Sequence, residues 1–228
     1  MGIAGTRGGY SLFFHDSESE RGSRMSSERP IVYVLDDDSR IREALSALSS
    51  SVGHKVMTFS TAAEYLAFKR PDAPACLILD LDLPEMNGLE LQKELADIGG
   101  PPIIFLTGHG DIPSTVKAMK AGATEFLSKP FEEEDLFRAI DAAIRIDDEA
   151  RLKNAELSAI QKRYASLTPR EREVLPYVVS GFLNKQTAWE LGTSEITIRI
   201  HRGQIMKKMA AQSLADLVRI AAKLGIPG

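Results

Sequence analysis

Short apolar runs alternate with amphipathic stretches over the first two-thirds of the chain. The runs near 31–35, 55–58, 76–80, 102–106 and 124–127 are four or five residues long and mostly apolar, and they predict strands. Stretches at 39–51, 61–70, 88–97, 112–121 and from 132 onward predict helices between and after them. Five strands alternating with helices imply a doubly wound parallel α/β sheet of the flavodoxin-like kind. Glycines such as Gly53, Gly88 and Gly122 fall at the junctions, where turns are needed.

After Pro130 no Gly or Pro occurs until Pro169, so most of that span reads as one helix. Leu136, Ile140, Ala143 and Ile144 make an apolar stripe on its first half, which thins beyond Asp147. The expectation is a packed helix running on as a solvated linker, with a dimeric coiled coil as the alternative. Residues 168–224 read as four short helices, the first opened by the capping-box pattern Thr168-Pro169-Arg170-Glu171. Tight turns at Gly181, Gly192 and Gln212-Ser213 permit a helix-turn-helix, but pattern alone fits any small all-α bundle. The expected organisation is a disordered tail over 1–29, an α/β domain over 30–146, a helical linker over 147–165 and an all-α domain over 166–228. Translation starts at Met1 or, just before the first strand, at Met25.

Charge divides the chain in the same place. Residues 30–148 hold 11 Lys/Arg against 21 Asp/Glu, whereas 166–228 hold 9 against 5. Two domains with different partners follow, the second basic enough to permit nucleic-acid binding. Cys76 is the sole cysteine, so no internal disulfide forms, and no apolar run approaches the roughly 20 residues that span a bilayer. The expected setting is the cytoplasm, with no membrane partner.

Candidate chemistry lies where the predicted strands end. Asp36-Asp37, Asp80, Thr107 and Lys129 each follow or close an apolar run, and the strand ends of a parallel sheet converge on one crevice. Carboxylates, a hydroxyl and an ammonium together suit a divalent metal and a phosphoryl group. Asp37 and Asp80 are candidate ligands for Mg2+ (or Mn2+), with Asp36 acting through a water and the Asp82 backbone carbonyl completing the shell. Lys129 would face the phosphoryl charge, and the Thr107 hydroxyl would donate to one of its oxygens. Taken singly, each residue is more simply a turn or cap residue after a strand.

The strings VLDDD, LILDLDLPEMNGLEL, IIFLTGHGD and KAMKAGATEFLSKPF, in this order and spacing, resemble the receiver (CheY-like) domain of two-component response regulators. The resemblance implies that Asp80 takes a phosphoryl group from a sensor histidine kinase, with Mg2+ bound by Asp36, Asp37 and Asp80. It also implies that Thr107 moves toward the phosphate while Phe126 turns inward. TGHGDIPSTVKAMKAG is similar to the FixJ-type subgroup, in which the face formed within residues 112–146 makes the phosphorylated homodimer. Arg40, Arg42 and Glu43 on the first helix are candidates for selecting the kinase.

LTPREREVLPYVVSGFLNKQTAWELGTSEITIRIHRGQIMKKM resembles the LuxR/NarL/FixJ-type helix-turn-helix. The resemblance implies binding to double-stranded promoter DNA, with 184–191 as scaffold helix and 195–209 in the major groove. Lys185, Thr197, Arg199, Ile200, Arg202, Gln204, Lys207 and Lys208 are the candidate DNA contacts, Arg199 the best placed for guanine. Val174, Leu175, Val178, Leu191, Ile196, Ile205, Met209 and Leu217 are the expected core. Gly203 inside a helix costs about 1 kcal/mol relative to Ala, which close approach to DNA could offset. Thr187 and Trp189 depart from the small or aliphatic residues common in relatives.

Read together, the two domains imply a phosphorylation-activated transcriptional regulator, not a conventional enzyme, with RNA polymerase left open as a further partner. Two other readings were weighed. Asp80-Leu81-Asp82 matches the DxD of haloacid-dehalogenase-type phosphohydrolases, but that family carries its acidic pair after the DxD, and here Asp36-Asp37 comes first. The all-α domain could instead bind protein.

Overall fold

The structure, a computed structural model, describes residues 29–84, 86–108 and 112–227. The expected tail, with Met25, lies almost wholly outside them. Five strands form where the apolar runs lie: β1 (Ile31–Leu35), β2 (Lys55–Phe59), β3 (Ala75–Asp80), β4 (Ile103–Thr107) and β5 (Glu125–Ser128). They pair in parallel in the order β2-β1-β3-β4-β5. Helices α1 (Ser39–Ser51), α2 (Ala62–Ala67), α3 (Gly88–Asp97), α4 (Ile112–Lys120) and α5 (Glu133–Ala165) connect or follow them.

Every residue of β1, β3 and β4 is buried, because helices cover both faces of the sheet. Successive side chains therefore feed two separate cores. Tyr33, Leu35, Leu77, Leu79 and Phe105 pack with Phe59, Tyr65, Leu91 and Leu95 on one face. Val32, Val34, Ile78, Ile104 and Leu106 pack with Leu45, Leu136, Ile140 and Ile144 on the other, beside the buried Cys76 thiol. The edge strands β2 and β5 are only partly covered.

Helix α2 stops at Ala67, three residues short of the expected 61–70. Phe68 leaves the helix in an extended conformation, φ −74° and ψ 126°. This carries its ring to 5.4 Å from Phe59 and 6.2 Å from Tyr33, so tertiary aromatic packing ends the helix.

The long helix α5 is continuous over 33 residues, roughly 50 Å. Its first turns bury Leu136, Ile140 and Ile144 against the sheet, and most of 148–159 faces solvent. Where it leaves the sheet it is pinned twice: Asp147 Oδ2 accepts from Ala75 N at 2.9 Å, and Arg151 pairs with Asp72. Its last turns then enter another core, where Ile160 is 4% exposed and Tyr164 packs alongside. The linker is thus a shared structural element with an end buried in each core.

The C-terminal helices are α6 (Pro169–Val179), α7 (Asn184–Glu190), α8 (Glu195–Lys208) and α9 (Leu214–Lys223). The expected capping box is present: Thr168 Oγ1 accepts from Glu171 N, and Glu171 Oε2 accepts from Thr168 N at 2.8 Å. Val174, Leu175, Val178, Ile205, Met209 and Leu217 are buried, and Leu191 is half-buried against them. Ile196 is a correction: it is 62% exposed, and Ile198 takes the core position in its place. Truncation of Ile160 to Ala should destabilise the C-terminal domain by about 2–4 kcal/mol, although Ile160 lies five residues before the end of α5. Chemical denaturation of the full chain, followed by the fluorescence of Trp189, checks this.

Candidate functional site

The strand order places the C-terminal ends of β1, β3, β4 and β5 side by side. Register pairs Leu35 with Leu79, Asp80 with Leu106 and Thr107 with Ser128, so Asp36, Asp80, Thr107 and Lys129 share one edge. Lys129 Nζ donates to Asp36 Oδ2 at 2.8 Å and to Asp80 Oδ1 at 2.9 Å. Each carboxylate spends its other oxygen on the chain: Asp36 Oδ1 accepts from Asp38 N at 2.9 Å, and Asp80 Oδ2 accepts from Asp82 N at 3.1 Å. Lys129 N also donates to Thr107 O at 2.7 Å, and the following bond to Pro130 is cis. Thr107 is fully buried, and Phe126 is half-buried with its ring 6.2 Å from Phe105.

The loop after β3 is tight. Gly88 opens α3 against the Asp80 carbonyl, where a Cβ would come within 2.8 Å of that backbone oxygen, so only glycine fits. Asn87 caps α3 by accepting from Leu89 N, and a bridge joins Asn87 to Asp82. These contacts fix the backbone that follows Asp80.

Electrostatics at the edge are those of two carboxylates around one ammonium. Burial raises the pKa of Asp80, with the Asp36 charge adding to the rise and the Lys129 hydrogen bond holding it back. For Lys129, burial works against the charged form, but hydrogen bonds from Asp36 and Asp80 outweigh it and the pKa is raised. The site therefore carries one unbalanced negative charge, to which the exposed Asp37 adds another. An all-oxygen donor set with this excess charge fits a hard divalent cation, which needs only one or two carboxylates beside its waters. Only Asp36 and Asp80 are drawn together; Asp37 and Asp82 are exposed, and among the described residues no three such side chains converge.

Arg42 departs from its expected role as an exposed kinase-selecting residue. Its Nη1 donates to the carbonyls of Asp36 at 2.8 Å and Asp37 at 2.9 Å, bracing the β1–α1 loop. Arg40 and Glu43 remain exposed.

Helix α8 presents a second surface. At about 100° per residue, Ile196, Arg199, Ile200, Gly203, Gln204 and Lys207 fall on the side opposite Ile198, Ile205 and Met209, and all six are exposed. Nothing lies within 4 Å of a Cβ placed on Gly203, so packing within the chain does not require glycine there. Lys185 is exposed on α7. Thr197 serves the α8 cap through Ser194, and half-buried Arg202 reaches Asn184 at 3.4 Å. Lys208 is turned inward: Nζ donates to the buried Glu171 Oε2 at 2.7 Å, tying α8 to the capping box of α6. Its position 280° around the helix from Ile198 places it near the core side rather than on the exposed stripe. Thr187 is buried, its hydroxyl donating to Leu183 O at 3.2 Å, whereas Trp189 is 80% exposed.

Comparison with known proteins bears on both surfaces. A family model described as "Response regulator receiver domain" matches residues 32–141, and "Bacterial regulatory proteins, luxR family" matches 165–221. The chain is 47% identical over 201 residues to the response regulator protein TmoT of Ectopseudomonas mendocina, covering 88% of this chain and 91% of that one. The chain is a response regulator with a receiver and a LuxR-type DNA-binding domain. It is also 40% identical to the transcriptional regulatory protein FixJ of Bradyrhizobium diazoefficiens, over 86% of this chain and 96% of that one. The solved response regulator StyR superposes with a TM-score of 0.79 at 45% identity, covering 86% of this chain and 100% of that one. Full-length FixJ from B. japonicum gives 0.50 at 39% identity, with 87% and 98% covered. The domain arrangement of this regulator is therefore more like that of StyR. Its family regulates transcription and is not a family of classical enzymes. No helix of the described residues is long and apolar enough to cross a membrane.

The buried pair in the DNA-binding domain gives a pH-dependent stability. Burial opposes ionisation of Glu171, but hydrogen bonds from Lys208 and Thr168 outweigh it and lower the pKa below the ordinary 4.5. The folded value lies under the unfolded one, so the stabilisation is complete above about pH 4.5 and is lost as pH falls through the lowered value. Glu171→Gln should cost about 1–3 kcal/mol at pH 7. The deficit relative to wild type should shrink in acid, as measured by denaturation at stepped pH.

Proposed function

We propose that Asp80 is the phosphoacceptor of this response regulator and that the phosphoryl group arrives from a sensor histidine kinase. The observation that carries the reading is the Lys129 ammonium held within 2.9 Å of both buried carboxylates at the strand edge. An Asp80 carboxylate oxygen attacks phosphorus, the P–N bond of the phosphohistidine breaks, and the imidazole nitrogen leaves with the electron pair. The product is an acyl phosphate on Asp80. A bound Mg2+ or Mn2+, held by Asp36, Asp37, Asp80 and the Asp82 backbone carbonyl, would supply positive charge against the phosphoryl oxygens. Lys129 gives up its bond to Asp80 and neutralises the transferred group, and Asp36 keeps the ammonium in place. The Thr107 hydroxyl donates to a phosphoryl oxygen, and Phe126 turns further inward along Phe105. Its movement reshapes the surface within residues 112–146, where a second copy docks.

The dimer presents two copies of α8 to paired half-sites on promoter DNA in the cytoplasm. Arg199 reads guanine, and Ile200 and Gln204 lie beside it on the same exposed stripe. Lys185, Arg202 and Lys207 contact phosphate, Thr197 holds the N-terminus of α8 in place, and Gly203 lets the backbone approach the DNA. Lys208 acts from behind by holding α8 to Glu171. RNA polymerase is a further candidate partner.

Asp80→Asn should abolish label incorporation from radiolabelled acetyl phosphate and Mg2+, whereas Asp82→Asn, which keeps the backbone carbonyl, should still incorporate label. Undiminished labelling of Asp80→Asn would sink the assignment. For the second surface, Arg199→Ala should cost about 1–3 kcal/mol of binding and relax preference at one base pair. Lys207→Ala should weaken all sequences alike and lower the salt slope by about 1. Fluorescence anisotropy across a salt series separates the two; equal effects from both variants on every sequence would count against base reading by Arg199.

A further inference from the structure

At the opposite end of the sheet, where β1, β3 and β4 begin, lies a cavity of about 410 Å³. That volume falls within the roughly 300–1,000 Å³ typical of small-molecule sites. Its floor is aromatic: Tyr33 and Tyr65 meet edge to face at 5.7 Å, with Phe68 beside them. Tyr33 and Tyr65 are 1% and 2% exposed, and the hydroxyl of each is buried without a hydrogen-bond partner. A buried orphan hydroxyl costs about 1–3 kcal/mol, and two lining one cavity amount to an unmet demand for a polar ligand.

The rim supplies the remaining chemistry. Half-buried Arg70 makes one long hydrogen bond, from Nη2 to Gly99 O at 3.4 Å, and no ion pair among the described residues. It is near enough to act on the Tyr65 hydroxyl, yet no hydrogen bond of adequate geometry joins them. The other charges are committed: Asp147 accepts from Ala75 N, and Arg151 pairs with Asp72. Leu66 and Ile98 line the same cavity with 37% and 59% of their surface exposed. One available guanidinium matches one negative charge, and the two carboxylates nearby disfavour a dianion such as phosphate. The apolar rim calls for an apolar body behind the charged head.

We propose that this cavity binds a small monocarboxylic acid, with its carboxylate on Arg70 and the Tyr33 and Tyr65 hydroxyls and its apolar body against Leu66 and Ile98. The cavity wall includes Asp147 and Arg151 of α5, so occupancy is felt at the turn where that helix leaves the receiver. The site is independent of the phosphoryl crevice and of the roles assigned there.

Methyl NMR on the full chain tests it, with cyclohexanecarboxylate as the probe and cyclohexylmethanol and inorganic phosphate as controls. Saturable shifts are expected at Leu66, Leu95 and Ile98 with the carboxylate only, and none at Ile200 on α8. Arg70→Gln should weaken binding at least about tenfold. The double variant Tyr33→Phe/Tyr65→Phe should weaken it severalfold while leaving the melting temperature unchanged or higher, since it removes only orphan hydroxyls. A cavity that merely holds water gives no saturable shift, and that result overturns the proposal. So does equal binding of the alcohol or of phosphate, or wild-type affinity in folded Arg70→Gln.

Discussion

A carboxylate buried beside another carboxylate is an expensive arrangement, and a folded chain keeps it only with a cation held between them. Here Asp36 and Asp80 come from neighbouring strands, and the cation comes from Lys129, beyond the sheet's edge strand β5. Everything else in the receiver serves that meeting. The parallel order aligns the strand ends, two cores clamp the strands from both faces, and Arg42 and Gly88 hold the loops on either side. The arrangement is held by a single ammonium with 23% of its side chain exposed, so a newly arriving charge can redirect it without unfolding the sheet.

Much of this was legible in the sequence because the central strands are covered on both faces and so read as unbroken apolar runs. Asp80, Thr107 and Lys129 could be placed because strand ends in a parallel sheet must converge. What escaped notice depends on tertiary partners. Nothing local in the α2 sequence says that Phe68 will leave the helix for Tyr33 and Phe59. Arg42 looked like any exposed cation on α1 until the carbonyls of Asp36 and Asp37 were in place.

Helix α8 shows the same limit more sharply. It carries isoleucines on both faces, Ile198 and Ile205 inside and Ile196 and Ile200 outside, so hydropathy cannot orient it. Its lysines are adjacent in sequence yet serve opposite ends: Lys207 faces outward, and Lys208 is drawn in by Glu171. The buried carboxylate that decides between them belongs to a different helix, 37 residues away. The same applies to Tyr33 and Tyr65, which read as ordinary core until their unpaired hydroxyls are seen to line one cavity.

The continuity of α5 makes it an axle between the two domains. Leu136 is seated in one core and Ile160 in the other, with solvent around most of the turns between. Those residues stand about 36 Å apart along the axis. A tilt of only about 10° at Leu136 would carry Ile160 some ~6 Å sideways, about one helical pitch. A displacement too small to disturb the sheet therefore becomes, at the far end, comparable to the spacing between successive base pairs that α8 would have to follow.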